Sequence, residues 1–174
     1  MKRRLVLAAV AVVGLLLVGL PSPAFAKTVT VQDNKARDAA AKFDIKRITY
    51  KNNSTAFSYR VKLRDIRKKN GTLIFPKLLV EGSWDQFFTV VSGARRDGTR
   101  FHRLELSGTT ESHRVACPGM TGSVNYKTNV VTARVPQSCF GMLGHQAYKA
   151  VGYAATPGMS EAGDIVGFRW VGYN

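Results

Sequence analysis

The chain has 174 residues, of which 26 are Lys or Arg, 11 are Asp or Glu, and 45% are hydrophobic. An ordinary apolar content and a count of two cysteines exclude an intrinsically disordered chain, a collagen-like repeat and a disulfide-dense miniprotein. The length predicts one domain. What remains is a basic globular domain, and its composition by itself does not define an activity.

The first 26 residues have the pattern of a secretion signal. Three basic residues at positions 2–4 precede an apolar run at 5–20, and the segment ends with Ala24-Phe25-Ala26. We therefore predict a signal peptide at 1–26, a mature domain at 27–174 and a secreted, extracellular protein. The alternative is a retained membrane anchor. That alternative is disfavoured, because the 16-residue run is shorter than the roughly 20 residues that span a bilayer. After cleavage, no membrane span is predicted.

Two strands of alternating polarity are predicted early in the mature chain. Over residues 54–65 apolar positions alternate with basic or small polar positions, and residues 44–51 show the same alternation. A period of two is typical of a strand with one buried and one exposed face. Asn52-Asn53 supplies the turn between them, so the two segments are predicted to form an antiparallel hairpin.

Further short strands are predicted along the remaining chain. They lie at residues 28–31, 73–81, 86–92, 100–107, 113–117, 122–126, 130–135, 146–154 and 167–172. Turn signals such as Asn70-Gly71, Asp97-Gly98 and Pro118-Gly119 separate them. Many short strands with frequent turns are typical of a sandwich or a barrel. We predict an all-β fold in a single domain, an antiparallel β-sandwich of the jelly-roll or immunoglobulin-like type.

Cys117 and Cys139 are predicted to form a disulfide. Both follow the signal peptide, so they reach a compartment in which no thiol buffer keeps them reduced. Two separate thiols are the alternative. A metal site is disfavoured because the three histidines are scattered through the sequence. In the chain-entropy model, closing a loop of about 22 residues stabilises the fold by about 3 kcal/mol.

Four short motifs give the mature chain a resemblance to a known group. They are the segment 33–38 with Asp at both ends, Asp44-Ile45, the alternating run at 60–65, and Pro136-Gln137-Ser138-Cys139. In these motifs the chain resembles uncharacterised secreted β-sandwich proteins of actinobacteria, and it is more distantly similar to DOMON domains and family nine carbohydrate-binding modules. The resemblance implies a β-sandwich. Those distant relatives bind sugars or haem, and some hold a structural calcium near the first strand.

Basic side chains alternate along the predicted hairpin. If the hairpin forms, one face projects Arg47, Lys51, Arg60, Lys62 and Arg64. Like charges opposite one another destabilise a sheet, so this arrangement is tolerated more easily beside an anionic partner. We predict that the face docks a polyanion or a cell-wall glycan, for example teichoic acid, an acidic polysaccharide, an anionic lipid or a nucleic acid. The alternative is a solvated face without a ligand.

Aromatic residues suggest a second kind of contact, in which a sugar ring stacks on an aromatic face. Trp84 follows Gly82-Ser83 at the start of a predicted strand, and Trp170 lies near the end of the chain. These two are the best candidates for exposure, and Trp84 is included among the predicted binding residues. Packing in the core is nevertheless the main expectation for both.

Local signatures of catalysis are absent from the sequence. It contains no Gly-x-Ser-x-Gly elbow, no phosphate-binding Gly-rich loop and no His-Glu-x-x-His motif. A glycosidase needs two carboxylates at a set separation, for which Glu81, Asp85 and Glu105 are candidates. Scattered acids in a basic chain are more often partners of Lys and Arg. We predict no catalytic residues, with a secreted hydrolase that uses an unrecognised carboxylate pair as the alternative.

Asp33, Asp38 and Asp44 form the only local cluster of acids in the sequence. Such oxygens, with backbone carbonyls, are ligands that Ca²⁺ accepts. The spacing lacks the Gly and the bidentate Glu of a known calcium loop, so a loop cap or a salt-bridge role is the main expectation. We predict no cofactor and no metal site, with calcium at these residues as the alternative.

These features together predict a secreted, monomeric, non-catalytic binding module for an anionic or saccharide component of the cell envelope. The basic hairpin is the predicted contact surface. A protein-binding or inhibitor-like module is the remaining alternative.

Overall fold

The fold is all-β and consists of two antiparallel sheets packed face to face. The computed structural model describes residues 27–34, 39–68, 71–80, 86–108, 111–143, 148–155 and 164–173. The strands are β1 (Lys27–Gln32), β2 (Ile45–Asn52), β3 (Ala56–Leu63), β4 (Thr72–Ile74), β5 (Lys77–Val80), β6 (Phe87–Ala94), β7 (Arg100–Ser107), β8 (Ser112–Val115), β9 (Thr121–Asn125), β10 (Val130–Pro136), β11 (Tyr148–Ala155) and β12 (Asp164–Val171), and a 3₁₀ segment spans Gln137–Leu143. The predicted all-β sandwich is confirmed.

The first sheet has five strands in the order β1-β2-β3-β10-β9. The second has the order β12-β11-β4-β6-β7-β8, with β5 also paired to β11 and β6. The single strand predicted at 73–81 is divided into β4 and β5. Pro76 lies at the division, because proline has no backbone N–H to donate to a neighbouring strand.

The predicted hairpin is confirmed in β2 and β3, which pair antiparallel. Phe57 and Tyr59 of β3 are buried, whereas Arg60 is exposed. In the turn, the Oδ1 atom of Asn53 accepts hydrogen bonds from the backbone N–H groups of Thr55 at 3.0 Å and Ala56 at 2.9 Å. An Asn side chain can replace a backbone partner in this way, which stabilises a tight turn. The hairpin therefore presents its alternate residues outward.

Aromatic side chains from both sheets meet in the core. The ring centroid of Phe57 lies 6.1 Å from that of Tyr50 and 6.1 Å from that of Tyr148, which belongs to the other sheet. Burial raises the pKa of Tyr50, Tyr59 and Tyr148 above the ordinary value for tyrosine, because a phenolate would lose its hydration. The hydroxyl of Tyr59 donates to the carbonyl of Ile74 at 3.4 Å. That of Tyr50 has no hydrogen-bond partner among the described residues.

The predicted disulfide between Cys117 and Cys139 is confirmed, with the two Cα atoms 5.1 Å apart. Cys117 follows β8 of the second sheet, and Cys139 lies in the 3₁₀ segment after β10 of the first sheet. The bond therefore links two chain segments that leave different sheets.

The predicted signal peptide, residues 1–26, lies outside the described residues. Within the described ranges, no helix has the length and apolar character needed to cross a membrane.

Candidate anion-binding face

We name the outward side of the five-stranded sheet the basic face. Its strands contain seven Lys or Arg residues and no Asp or Glu. The outward positions of these strands alternate cations with hydroxyl groups. They include Thr28, Thr30, Arg47, Thr49, Lys51, Ser58, Arg60, Lys62, Thr121, Ser123, Thr132 and Arg134. A surface of this kind offers many hydrogen-bond donors and positive charge to an anion.

Strand register arranges these side chains in rows that cross the sheet. One row consists of Thr28, Lys51, Ser58, Arg134 and Thr121, and the next consists of Thr30, Thr49, Arg60, Thr132 and Ser123. In the second row, the Oγ1 atoms of the Thr30–Thr49 pair are 3.1 Å apart, and Oγ of Ser123 is 2.7 Å from Oγ1 of Thr132. The hydroxyl groups on the two sides of Arg60 are therefore hydrogen-bonded in pairs, Thr30 with Thr49 and Ser123 with Thr132.

Four of the five basic residues predicted for this surface lie on it. Arg47, Lys51 and Arg60 are exposed, and Lys62 is half-buried. The ammonium group of Lys62 donates a hydrogen bond to the carbonyl of Thr128. Arg47 lies directly opposite Lys62 on the neighbouring strand. Like charges in that position destabilise a sheet unless an anion or a counter-ion lies between them.

Arg64 departs from the predicted alternation. Strand β3 ends at Leu63, and the Nη1 atom of Arg64 lies 3.1 Å from Oδ2 of Asp44. Its Nη2 atom donates to the carbonyl of Ala39 at 3.2 Å. Alternation between two faces holds only while the chain remains extended. Arg64 is therefore committed to an ion pair and does not join the basic face.

Arg134 is the cation that sequence reasoning missed. It is exposed on β10, directly opposite Ser58 of β3. The alternation in the predicted strand at 130–135 already puts it on the polar side. Its position beside the hairpin could not be predicted, because no local pattern in the sequence indicates that β10 pairs with β3.

An open groove of about 460 Å³ crosses the basic face. Lys51, Arg60 and Arg134 line it, together with the hydroxyl-bearing residues of the two rows other than Thr30, and no carboxylate is among the lining residues. Within the part of the chain that the structure describes, these three cations form no ion pair or hydrogen bond with the protein. Their charge is therefore available to a ligand.

The predicted aromatic contacts do not extend this groove. Trp84 lies outside the described residues. Trp170 is 50% exposed and is not packed in the core, and it belongs to β12 of the second sheet. Of the other aromatic residues, Phe88 and Tyr148 are buried in the core. The exposed tryptophan and the basic face therefore belong to different sheets.

An acid cluster lies apart from the basic face. Asp33, Asp44 and Asp164 each bring one carboxylate oxygen within 4.8 Å of the others. Asp164 accepts a backbone hydrogen bond at 2.7 Å, and Arg64 supplies positive charge to Asp44. Asp33 and Asp44 therefore meet, while Asp38 lies outside the described residues. Carboxylates are ligands that Ca²⁺ accepts, and calcium near Asp33, Asp38 and Asp44 stays the alternative to the prediction of no metal site.

Of the three candidate catalytic acids the structure describes Glu105, and the hydrolase alternative stays a prediction. Glu105 accepts a hydrogen bond from the guanidinium of Arg103, two residues away on β7. Glu81 and Asp85 lie outside the described residues. Glu105 thus has the ion-pair role expected of a scattered acid in a basic chain.

No family model and no curated protein matches this chain. The resemblance to secreted actinobacterial proteins, DOMON domains and family nine carbohydrate-binding modules stays a prediction.

Proposed function

We propose that this protein is a non-catalytic binding module for an acidic polymer of the cell envelope, held on the basic face. The observation that supports it most is the groove lined by Lys51, Arg60 and Arg134, three cations without a partner among the described residues. Five strands without a single carboxylate surround that groove. Such a surface attracts anions over several ångströms and repels other basic surfaces.

The energetics of the sheet favour a ligand over a bare solvated face. Arg47 opposite Lys62 costs stability in the free protein. Bound anionic groups would remove that cost, so part of the binding free energy comes from relief of repulsion. A bare face carries the same cost with nothing to offset it except solvent ions.

The side chains between the cations favour an acidic glycan over a single-stranded nucleic acid. Serine and threonine hydroxyls occupy the outward positions next to the cations, and they can exchange hydrogen bonds with sugar hydroxyls. Binding of single-stranded nucleic acid depends on aromatic side chains on which bases stack. The three aromatic residues of the five strands, Tyr50, Phe57 and Tyr59, are all buried.

The proposal is tested by retention on isolated envelope polymers at two salt concentrations. Retention is expected at low salt and to fall steeply as salt rises, because binding releases the counter-ions of the polymer. Reversing the charge of Arg60, Lys62 and Arg134 to Glu is expected to abolish retention.

The matched control reverses three exposed cations away from the basic face, Arg96, Arg100 and Arg114. It changes the net charge by the same amount, so it separates a local surface from overall basicity. Equal loss of retention in both triple variants would contradict the proposal, and so would full retention of the basic-face variant.

We place this module outside the cytosol, as a monomer released by cleavage after Ala26. The disulfide between Cys117 and Cys139 supports this, because such bonds persist in oxidising compartments and are rare in the cytosol. Mass spectrometry of the protein from culture medium should show a chain that begins at Lys27, and sedimentation should give a monomer. A cell-associated protein that keeps residues 1–26 would contradict this placement.

A further inference from the structure

We infer that the basic face holds a discrete subsite for a tetrahedral oxyanion, the sulfate or phosphate ester of an acidic polymer, centred on Ser58. This inference rests on the proposed function and names the ligand group that the groove selects. Ser58 lies on β3, the central strand of the five-stranded sheet.

Three cations surround Ser58 on three sides. Lys51 of β2 and Arg134 of β10 are its direct partners across the sheet, and Arg60 is the next outward residue on its own strand. Neighbouring strands are about 5 Å apart, and alternate residues of one strand about 7 Å apart. The backbones of the three cationic residues therefore lie close to Ser58, and their side chains are long enough to reach an anion bound there.

Each of the four side chains has donors to spare. Ser58 is half-buried, whereas the three cations are exposed, so the hydroxyl forms the floor and the charged groups form the rim. In the described part of the chain, none of the four side chains makes a hydrogen bond or an ion pair. All four line the same groove.

This donor arrangement suits a tetrahedral anion better than a carboxylate. A sulfate ester or a phosphate monoester has three terminal oxygens that point in different directions, which matches charged donors on three sides and a hydroxyl below. A carboxylate has two oxygens whose lone pairs lie in one plane, so it accepts best from donors in that plane. Donors on three sides of Ser58 and a hydroxyl below do not share one plane.

The remaining cations of the face lack this arrangement. Arg47 and Lys62 face each other directly, with no hydroxyl between them. Lys62 also donates to the carbonyl of Thr128. These two residues therefore contribute general attraction to a polyanion and not selection among anionic groups.

The test compares three dextrans of matched charge density on the full mature protein: dextran sulfate, dextran phosphate and carboxymethyl dextran. The wild type is expected to bind dextran sulfate or dextran phosphate about tenfold more tightly than carboxymethyl dextran, the scale of one charge-assisted hydrogen bond. The better of these two ligands identifies the ester, and equal binding assigns the subsite to both.

The variant that tests the subsite is Ser58→Ala, with Ser112→Ala as its matched control. Ser112 is an exposed residue of β8 in the second sheet, its hydroxyl already accepts a hydrogen bond from Ser107, and it is not among the groove-lining residues. Ser58→Ala is expected to reduce the preference for the tetrahedral anions by about tenfold and to leave carboxymethyl dextran unchanged. Ser112→Ala is expected to leave the preference as it is.

The outcomes separate the two proposals. Failure of the wild type to bind any of the three polymers would end the proposed function and the subsite with it. Equal binding of sulfated and carboxylated polymers, or an unchanged preference in Ser58→Ala, would overturn the subsite alone. Far-ultraviolet circular dichroism of both serine variants shows whether the fold is intact.

Discussion

The two outward faces of the sandwich differ in what surrounds their cations. On the basic face, Arg60 and its neighbours stand among hydroxyl groups, with no aromatic ring exposed on the five strands. On the outer side of the second sheet, Lys77 lies over two rings, with Nζ 4.7 Å from the centroid of Phe87 and 5.4 Å from that of Tyr153. Arg103 similarly lies 5.7 Å from the ring of Phe101.

This difference separates cations that stabilise the fold from cations that are free to bind. A ring beneath an ammonium or guanidinium group gives it a partner inside the protein. A hydroxyl row gives it none, so its charge remains directed to solvent or to a ligand. Net charge alone does not make this distinction, since both sheets carry several Lys and Arg residues.

The largest expected effect tests whether the two faces belong to one cooperative unit. Phe57→Ala removes a fully buried ring that contacts Tyr50 in its own sheet and Tyr148 in the other. It is expected to lower the free energy of unfolding by about 3 to 5 kcal/mol. Urea denaturation followed by fluorescence and circular dichroism should show a single transition. Two separate transitions would mean that the sheets unfold independently and that the faces must be compared as parts of different units.

A smaller loss is expected from removing the link between the sheets. Replacing Cys117 and Cys139 together by Ala should cost about 3 kcal/mol, since the unfolded chain regains the freedom of the closed loop. Retention on an acidic polymer, measured well below the melting temperature, should not change. A loss of retention in a folded double variant would show that the disulfide positions the basic face.

Alkaline pH should destabilise the shared core. The folded state raises the pKa of Tyr50, Tyr59 and Tyr148 above the unfolded value near 10, so the stability they provide is present below about pH 10 and is lost as pH rises further. Each such tyrosine steepens the decline by about 1.4 kcal/mol per pH unit.

Tyrosinate absorbance measured across an alkaline titration checks this expectation. The buried tyrosines should ionise only together with loss of the folded circular dichroism signal. Ionisation of all six tyrosines near pH 10 in a protein that keeps its fold would contradict the burial of these three rings.

The smallest expected effect compares the two faces directly, through Lys77→Met and Lys51→Met. Lys77→Met should lower stability by about 0.5 to 1 kcal/mol, because it removes the contacts with Phe87 and Tyr153. Lys51→Met should leave stability unchanged or raise it slightly, yet weaken retention on an acidic polymer. Thermal unfolding and retention assays on both variants test this difference between the two faces. Loss of retention in Lys77→Met together with loss of stability in Lys51→Met would refute it.

Local pattern predicted the strands and the hairpin well, since alternation over 54–65 and the Asn52-Asn53 turn depend on neighbours in sequence. It predicted less well where a strand stops. The alternation predicts an outward Arg64, but Asp44 lies close enough to form an ion pair with that guanidinium. The predicted strand at 73–81 does not include the division at Pro76, although a proline inside a strand indicates an interruption because it has no backbone N–H to donate.

Only part of the candidate site could be predicted from the sequence, for a related reason. Lys51 and Arg60 lie on one hairpin, so their common face follows from a short turn. Arg134 reaches the same groove through pairing of β10 with β3, a contact between segments far apart in the chain. The meeting of Asp164 with Asp33 and Asp44 is of the same kind.

By itself the sequence determined an all-β chain, one hairpin with a polar and an apolar side, and one disulfide, because each of these depends on local spacing or on having two cysteines to pair. Tertiary structure alone decided which cations share a groove and which are neutralised. That choice depends on how the apolar faces of the two sheets pack. Packing brings together residues that are far apart in the sequence, and the local pattern around one such residue does not indicate the other.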